Sequence, residues 1–290
     1  NRHGNPPCAQ SNKEEMKEYF YNIACTWLAC GLDPKKVVFY RQSDIKEDFE
    51  LNWILCNVTP KGLMNRAHAY KACVEKNEEQ GLDKDDGINM GLYNYPILMA
   101  ADILLYDVDY VPVGLDQKQH IEIARDIAHN FNGKYGKCLK EPKEYIDDNN
   151  HTLVGLDGRK MSKSYNNTII LFTDEATLKK SIFRVVTDSR LPGEPKDVDC
   201  TVNKLFKLFA TKEEADKFEE DLKNGLAWGE AKKQLFEVAN RYISPMSEKF
   251  NYYMRHKEEV DEILREGAVK AEKVAKVVLS RVRKAIGTDR

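Results

Sequence analysis

Apolar positions at residues Tyr19, Ile23, Trp27 and Leu28 recur at helical spacing. They follow Ser11 and Glu14, which have capping-box spacing, and precede Gly31 and the turn Asp33-Pro34. This predicts a helix over residues 11–30. Residues 37–40 are short, β-branched and aromatic, as in a buried parallel strand. Residues 47–56 read as helix, stopped by Thr59-Pro60, and a second apolar face runs from Leu63 and Met64 towards Tyr70. The polar, acidic stretch 77–89 predicts an exposed loop. A helix over 96–106 turns Ile97, Leu98, Ala101 and Leu105 inward; 108–113 predicts a second strand; a helix over 117–130 buries Ile121, Ile123, Ala124 and Ile127. Strand signals thin out after 169–172. From Asp174 the periodicity is helical, with Leu205, Leu208 and Phe209 as one stripe and later stripes over 232–241 and 258–286. Such alternation implies an α/β fold, a Rossmann-like parallel sheet covered by helices, followed by an all-α domain. The boundary falls between 1–173 and 174–290.

Composition changes this picture little. Hydrophobic residues make up 42% and charged residues 32% of 290, an ordinary globular balance. No apolar run approaches the roughly 20 residues that span a bilayer, and residues 1–10 lack the pattern of a signal peptide. The seven cysteines, Cys8, Cys25, Cys30, Cys56, Cys73, Cys138 and Cys200, contain no C-x-x-C pair, which argues for reduced thiols and a cytoplasmic protein without a structural zinc. A net charge of −2 leaves any nucleic-acid contact to local patches. One such patch lies between Ala268 and Arg290, where Lys270, Lys273, Lys276, Arg281, Arg283, Lys284 and Arg290 outnumber Glu272 and Asp289. Val274, Val277, Val278 and Val282 are the expected packed side of that helix. A solvated helix face with cations near its C-terminus is the plainer explanation.

Chemistry concentrates in two segments. The first is Gly158-Arg159-Lys160-Met161-Ser162-Lys163-Ser164. Its two lysines can be aimed together at one polyanion, and Gly155 and Gly158 give the loop room. Such a loop suits charge that develops on a leaving pyrophosphate. A lone K-x-x-K pair is usually only a solvated turn, but the full Lys-Met-Ser-Lys-Ser string is far rarer. It resembles the signature loop of class I aminoacyl-tRNA synthetases.

The second segment begins at Tyr95-Pro96-Ile97-Leu98-Met99-Ala100-Ala101-Asp102. Asp102 shares a helix face with Met99 and Leu98. A carboxylate on an apolar face needs a partner: either a neighbouring Arg or Lys, or a ligand N–H. Val111-Pro112-Val113-Gly114-Leu115-Asp116-Gln117 then forms a strand end, a glycine and a helix start, where open α/β sheets bind ligands. Gly114 permits close approach, and Asp116 and Gln117 can hold sugar hydroxyls or an ammonium. His120, one turn into the helix, is more often a capping or core partner than a ligand.

Together these segments resemble the bacterial-type tryptophanyl-tRNA synthetases, with Ala124-Arg125-Asp126-Ile127-Ala128 and Val186-Thr187-Asp188-Ser189 extending the match. The resemblance implies that Asp102 accepts the indole N–H, Met99 packs on the ring and Tyr95 lies beside the same pocket. It implies that Gln117 holds tryptophan or the ATP ribose, and that Gly114, Asp116, Lys160, Met161, Ser162 and Lys163 bind ATP. Lys160 and Lys163, with Lys71, would act on the phosphates, and Mg²⁺ would accompany ATP. It further implies tRNA(Trp) as partner, an anticodon-binding helical domain, and a homodimer through Leu51, Trp53, Ile54, Leu55, Val58, Leu63 and Met64, a stretch that ordinary core packing would equally explain.

The chain departs from the class in one respect. No His-x-Gly-His occurs in it, and it begins as though inside the family's fold, past the first central strand. The expected activity is tryptophan–tRNA ligation. Its rival is a non-catalytic or truncated synthetase-like protein that binds tryptophan or a partner.

Overall fold

A computed structural model describes residues 12–146, 153–162 and 165–289. They form two compact units. Of the described residues, the first gathers 12–20, 33–146 and 258–289; the second gathers 21–32, 153–162 and 165–257. The expected linear division at 173/174 is therefore not the one observed. The helical end of the chain returns to the first unit, because its apolar stripe is part of that unit's core.

In the first unit α2 (Lys46–Cys56), α3 (Lys61–Met64), α4 (His68–Glu79), α5 (Met90–Leu104) and α6 (Lys118–Tyr135) surround two short strands. β1 (Tyr110–Pro112) and β2 (Lys143–Tyr145) pair in parallel, with Val111 opposite Glu144. β1 was legible as an apolar run. β2 was not, since Lys143-Glu144-Tyr145 carries one aromatic between charges. Arg125 of α6 ties β2 in place by donating to the Pro142 carbonyl at 3.1 Å and to the Glu144 carboxylate.

α6 buries His120, Ile121, Ile123, Ala124, Ile127, Ala128 and Phe131, the expected stripe continued by one turn. α5 starts earlier than its apolar run, at Asn89, whose side chain accepts from the Leu92 N–H. The helix α4 runs three residues into the stretch expected as loop.

α11 (Lys257–Ile286) buries Ala271, Ala275, Val278, Leu279 and Val282 against Leu51, Leu55, Leu104 and Ile121. Val274 and Val277, expected on the packed side, are exposed. Arg281 donates to both oxygens of Asp107, at 2.9 and 2.6 Å, and Arg283 pairs with Glu50. Two of the cations read as a nucleic-acid patch thus hold α11 to its own unit.

Residues 37–40, expected as a strand, have no ladder partner among the described residues, and Val37 and Val38 are exposed. The segment is fixed instead by α11. A β-carbon at Gly267 would stand 1.8 Å from the Phe39 carbonyl oxygen, so only glycine allows this approach. Arg41 adds an ion pair to Asp261 of α11 at 3.3 Å.

The second unit holds the C-terminal part of α1 (Lys13–Ala29) with α7 (Glu175–Phe183), α8 (Thr201–Phe206), α9 (Lys212–Lys223) and α10 (Trp228–Arg255). Its core centres on Ile182, Leu205, Phe218, Leu222 and Leu235, with Phe206 and Phe218 stacked at 3.9 Å. α9 begins with a full capping box, Thr211 with Glu214. The expected N-cap of α1, Ser11, lies outside the described residues; Asn12 accepts from the Glu15 N–H there. Residues 169–172 form no strand. Cys25, Cys30, Cys56, Cys73, Cys138 and Cys200 are free thiols. Among the described residues no helix is long and apolar enough to cross a membrane.

Candidate functional site

The first group of site residues lies in the first unit, on one face of α5 and at the start of α6. Asp102 is half-buried on α5, and Met99, one turn earlier, packs against the apolar core. The Gln42 amide donates to both Asp102 oxygens, at 2.7 and 2.9 Å. Asp102 thus has a neutral amide as a partner. Such a contact orients the carboxylate without neutralising it.

Behind Asp102 stands a second carboxyl. Asp48 of α2 is 2% exposed, and neither of its oxygens has a partner in good hydrogen-bond geometry. Burial pushes its pKa up to about 8; the charge of Asp102 and its closeness to Asp48 add to the rise, and the nearby Gln42 amide opposes it. Tyr40 and Tyr106 complete the cluster, with ring centroids 5.8 Å apart. Burial raises both phenols, and the two nearby aspartates push them further up. Gln42 sits in the 3-10 turn that follows the segment held by Gly267 and Arg41, so α11 indirectly sets the amide that contacts Asp102.

Tyr95 lies one helical repeat before Asp102. Its hydroxyl is 3.2 Å from His120 Nε2. Gly114 opens the 3-10 turn Leu115–Gln117, accepting the Gln117 N–H at 2.9 Å. Asp116 is exposed, and the Gln117 amide donates to it at 3.1 Å, so these two side chains are brought together. Gln119 bridges α6 to α4: it accepts the His68 N–H at 2.9 Å and donates to the Arg66 carbonyl at 3.1 Å. Lys71, on the α4 that this bridge anchors, is exposed and 3.6 Å from Glu75.

The second group is the lysine loop in the second unit. Residues 153–162 fold back on themselves: Gly155 N–H donates to the Arg159 carbonyl at 2.7 Å, and Met161 N–H to the Leu153 carbonyl at 2.8 Å. Lys160 is exposed, while Met161 packs against the unit's core. Lys163 and Ser164 lie outside the described residues.

The residue that closes this loop is Asn167, 2% exposed. Its amide N–H groups donate to Asp157 at 2.7 Å and to the Lys160 carbonyl at 3.1 Å, while its carbonyl accepts the Ser162 N–H at 2.8 Å. The Asn167 amide, joined by Arg159, lowers the Asp157 pKa to about 2. A β-carbon at Gly155 would stand 2.2 Å from the Asn167 amide nitrogen, so that glycine makes room for the latch. The cleft of about 490 Å³ lined by α8, α9 and α10 contains none of these residues; Glu214, Asp221, Glu230 and Glu237 outnumber Lys217 and Arg241 in its lining.

The fold and these two residue groups belong to one class of protein. The model of the family "tRNA synthetases class I (W and Y)" matches residues 4–244, and the chain belongs to that family. Within it the similarity is to tryptophan enzymes. The chain is 52% identical over 268 residues to the tryptophan–tRNA ligase of Bordetella parapertussis, covering 91% of this chain and 59% of that one. It is 51% identical over 267 residues to the tryptophan–tRNA ligase of Neisseria meningitidis, covering 91% and 80%. Among solved structures, the tryptophanyl-tRNA synthetase of Campylobacter jejuni complexed with ADP and tryptophan superposes with a TM-score of 0.86 at 41% identity, over 96% of this chain and 85% of that one. The chain therefore has the α/β class I synthetase fold, and it spans less than two thirds of the Bordetella relative.

Proposed function

We propose that this protein is a tryptophan–tRNA ligase. It activates tryptophan with ATP to tryptophanyl-adenylate and passes the acyl group to tRNA(Trp). The observation that carries the tryptophan assignment is Asp102: a half-buried carboxylate beside Met99, held by a neutral amide. Indole is a large apolar body with one donor, and this is the complementary acceptor. A site that demands that donor discriminates strongly against phenylalanine.

In the activation step a tryptophan carboxylate oxygen attacks the α-phosphorus of ATP, and pyrophosphate leaves with the bonding pair. No protein nucleophile is needed. Alignment and charge stabilisation supply the rate. Lys160 and Lys163 carry the positive charge for the leaving phosphates, Lys71 supports them, and Met161 and Ser162 place the loop. Gly114 and Asp116 serve the nucleotide. Gln117 holds tryptophan or the ribose, and Tyr95 flanks the indole. Mg²⁺ accompanies ATP through its phosphates and water; among the described residues no three His, Cys, Asp or Glu converge to hold a metal. The functional assembly is a cytoplasmic homodimer, and the helical part of the chain faces the tRNA anticodon.

Tryptophan-dependent exchange of labelled pyrophosphate into ATP tests this reading. Exchange that requires tryptophan is expected. Tryptophan binding without exchange would make the protein a non-catalytic relative.

A further inference from the structure

We infer that Asp48 is a positioning residue for the tryptophan pocket: it carries a proton, donates it to Asp102, and so holds the Asp102 carboxylate ionised and aimed as an acceptor. The inference rests on the reading of Asp102 as the indole acceptor. It begins from the burial of Asp48, which is 2% exposed and whose two oxygens have no partner in good hydrogen-bond geometry. Written as an anion, Asp48 would be buried and opposite a second carboxylate. Two like charges so placed cannot both persist, and one carboxyl takes up a proton. With that proton, Asp48 becomes the donor and the facing carboxylate its acceptor.

The surroundings decide which carboxyl holds the proton. Asp102 is the less buried of the two, and the Gln42 amide donates to both its oxygens, which favours its ionised form. Asp48 is the deeper, and burial is the largest cause of its raised pKa. The remaining groups at the cluster are the Tyr40 and Tyr106 hydroxyls, both shifted towards the neutral form. On α11, Lys276 and Arg283 face Glu47 and Glu50 of α2 instead of Asp48. An ionised carboxylate offers about four acceptor positions.

This arrangement makes tryptophan binding pH-dependent in a defined direction. As pH rises through the raised pKa of Asp48, its proton leaves to solvent, the donor is lost and two facing anions remain. Their repulsion turns Asp102 away from the direction in which it accepts. Asp48→Asn keeps an N–H donor at that position at every pH and removes the charge.

The experiment is calorimetric titration of L-tryptophan into the full chain from neutral to alkaline pH, for the parent, Asp48→Asn and Asp102→Asn. The free amino group of tryptophan titrates equally against all three, so the difference between profiles is read. The parent is expected to lose up to about tenfold in affinity per pH unit above the Asp48 pKa relative to Asp48→Asn, the slope for one linked proton. Aspartate carboxyl ¹³C spectra of the parent should show one resonance titrating well above the ordinary range and absent from Asp48→Asn. Parallel tryptophan profiles for parent and Asp48→Asn overturn the inference, as does the absence of that resonance in the parent. Unchanged tryptophan affinity in Asp102→Asn instead sinks the reading of Asp102, and the positioning role with it; the carboxyl titration then separates that failure from an absent proton.

Discussion

At the scale of single residues the tryptophan assignment turns on what satisfies Asp102. A surface aspartate needs nothing, and a core aspartate usually meets a cation. Here the Gln42 amide bonds to both oxygens. If the carboxylate accepts the indole N–H, truncating it removes a hydrogen bond to a charged group, worth about 1.5–3 kcal/mol. We expect Asp102→Ala to weaken tryptophan binding by that amount in calorimetry near neutral pH. An unchanged dissociation constant would return Asp102 to a purely structural role. The pair with His120 explains a second residue: Tyr95 is oriented by a hydroxyl-to-imidazole contact of 3.2 Å. His120, buried at 8% exposure, is a side-chain partner of Tyr95.

At the scale of elements two devices stand out. The lysine loop is shaped by one buried amide, since Asn167 satisfies Asp157, the Lys160 carbonyl and the Ser162 N–H together. Asn167→Ala leaves these groups without their partner and lets the loop open. A misplacement of about 1 Å costs catalysis on the order of 100-fold. We therefore expect tryptophan-dependent pyrophosphate exchange to slow by about 10- to 100-fold, while tryptophan affinity without ATP stays constant. Equal loss of both would mean that the substitution unfolds the unit. The second device is the crossing of α11 over residues 37–40. Alanine in a helix interior gains up to about 1 kcal/mol over glycine, but a β-carbon at 267 would overlap the Phe39 carbonyl, 1.8 Å away. Backbone cannot rotate aside as a side chain can, so the clash outweighs the propensity. Gly267→Ala should destabilise the protein by about 1–3 kcal/mol, read as a lower urea midpoint. A midpoint at or above the parent's would show that the segment yields freely.

At the scale of the whole molecule the question is assembly. The apolar stretch from Leu51 to Met64 divides in two. Leu51, Leu55, Leu63 and Met64 are buried in the first unit's core, so much of the stretch is explained by one chain. Trp53 is not: it is 71% exposed, and Phe49, one turn earlier on α2, is 46% exposed. Two aromatics on one exposed helix face suit an isologous contact, in which the same face of a second copy supplies the cover. Light scattering at micromolar concentration should give about twice the 33.4 kDa chain mass, and Trp53→Glu should shift it towards the monomer. A parent protein that scatters as a monomer rejects the homodimer. The cations of α11 also change meaning at this scale. Arg281 and Arg283 fasten the helix to its own unit, and Lys276 lies 2.7 Å from Glu272. Positive charge counted along the sequence therefore overstates what is offered to a nucleic acid.

The sequence by itself determined the helices with long apolar stripes, because a period of 3.6 over four or more turns has no other consistent burial: α6 and most of α5 follow directly. It also determined the lysine string and the placement of Asp102 on an apolar face, since both depend only on residue type and local spacing. Tertiary structure decided the rest. The run 37–40 reads as strand, yet whether it pairs depends on neighbours remote in the chain. β2 has no apolar signature because its pairing is supplied by β1 and by Arg125. The unit boundary was illegible because α11 joins a core whose other members lie up to about 230 residues earlier, as its bond to Glu50 shows. Asp48, Gln42 and Asn167 carry no motif as isolated letters. What they do comes from burial, where an unmet carboxyl or amide must find its partner across the fold.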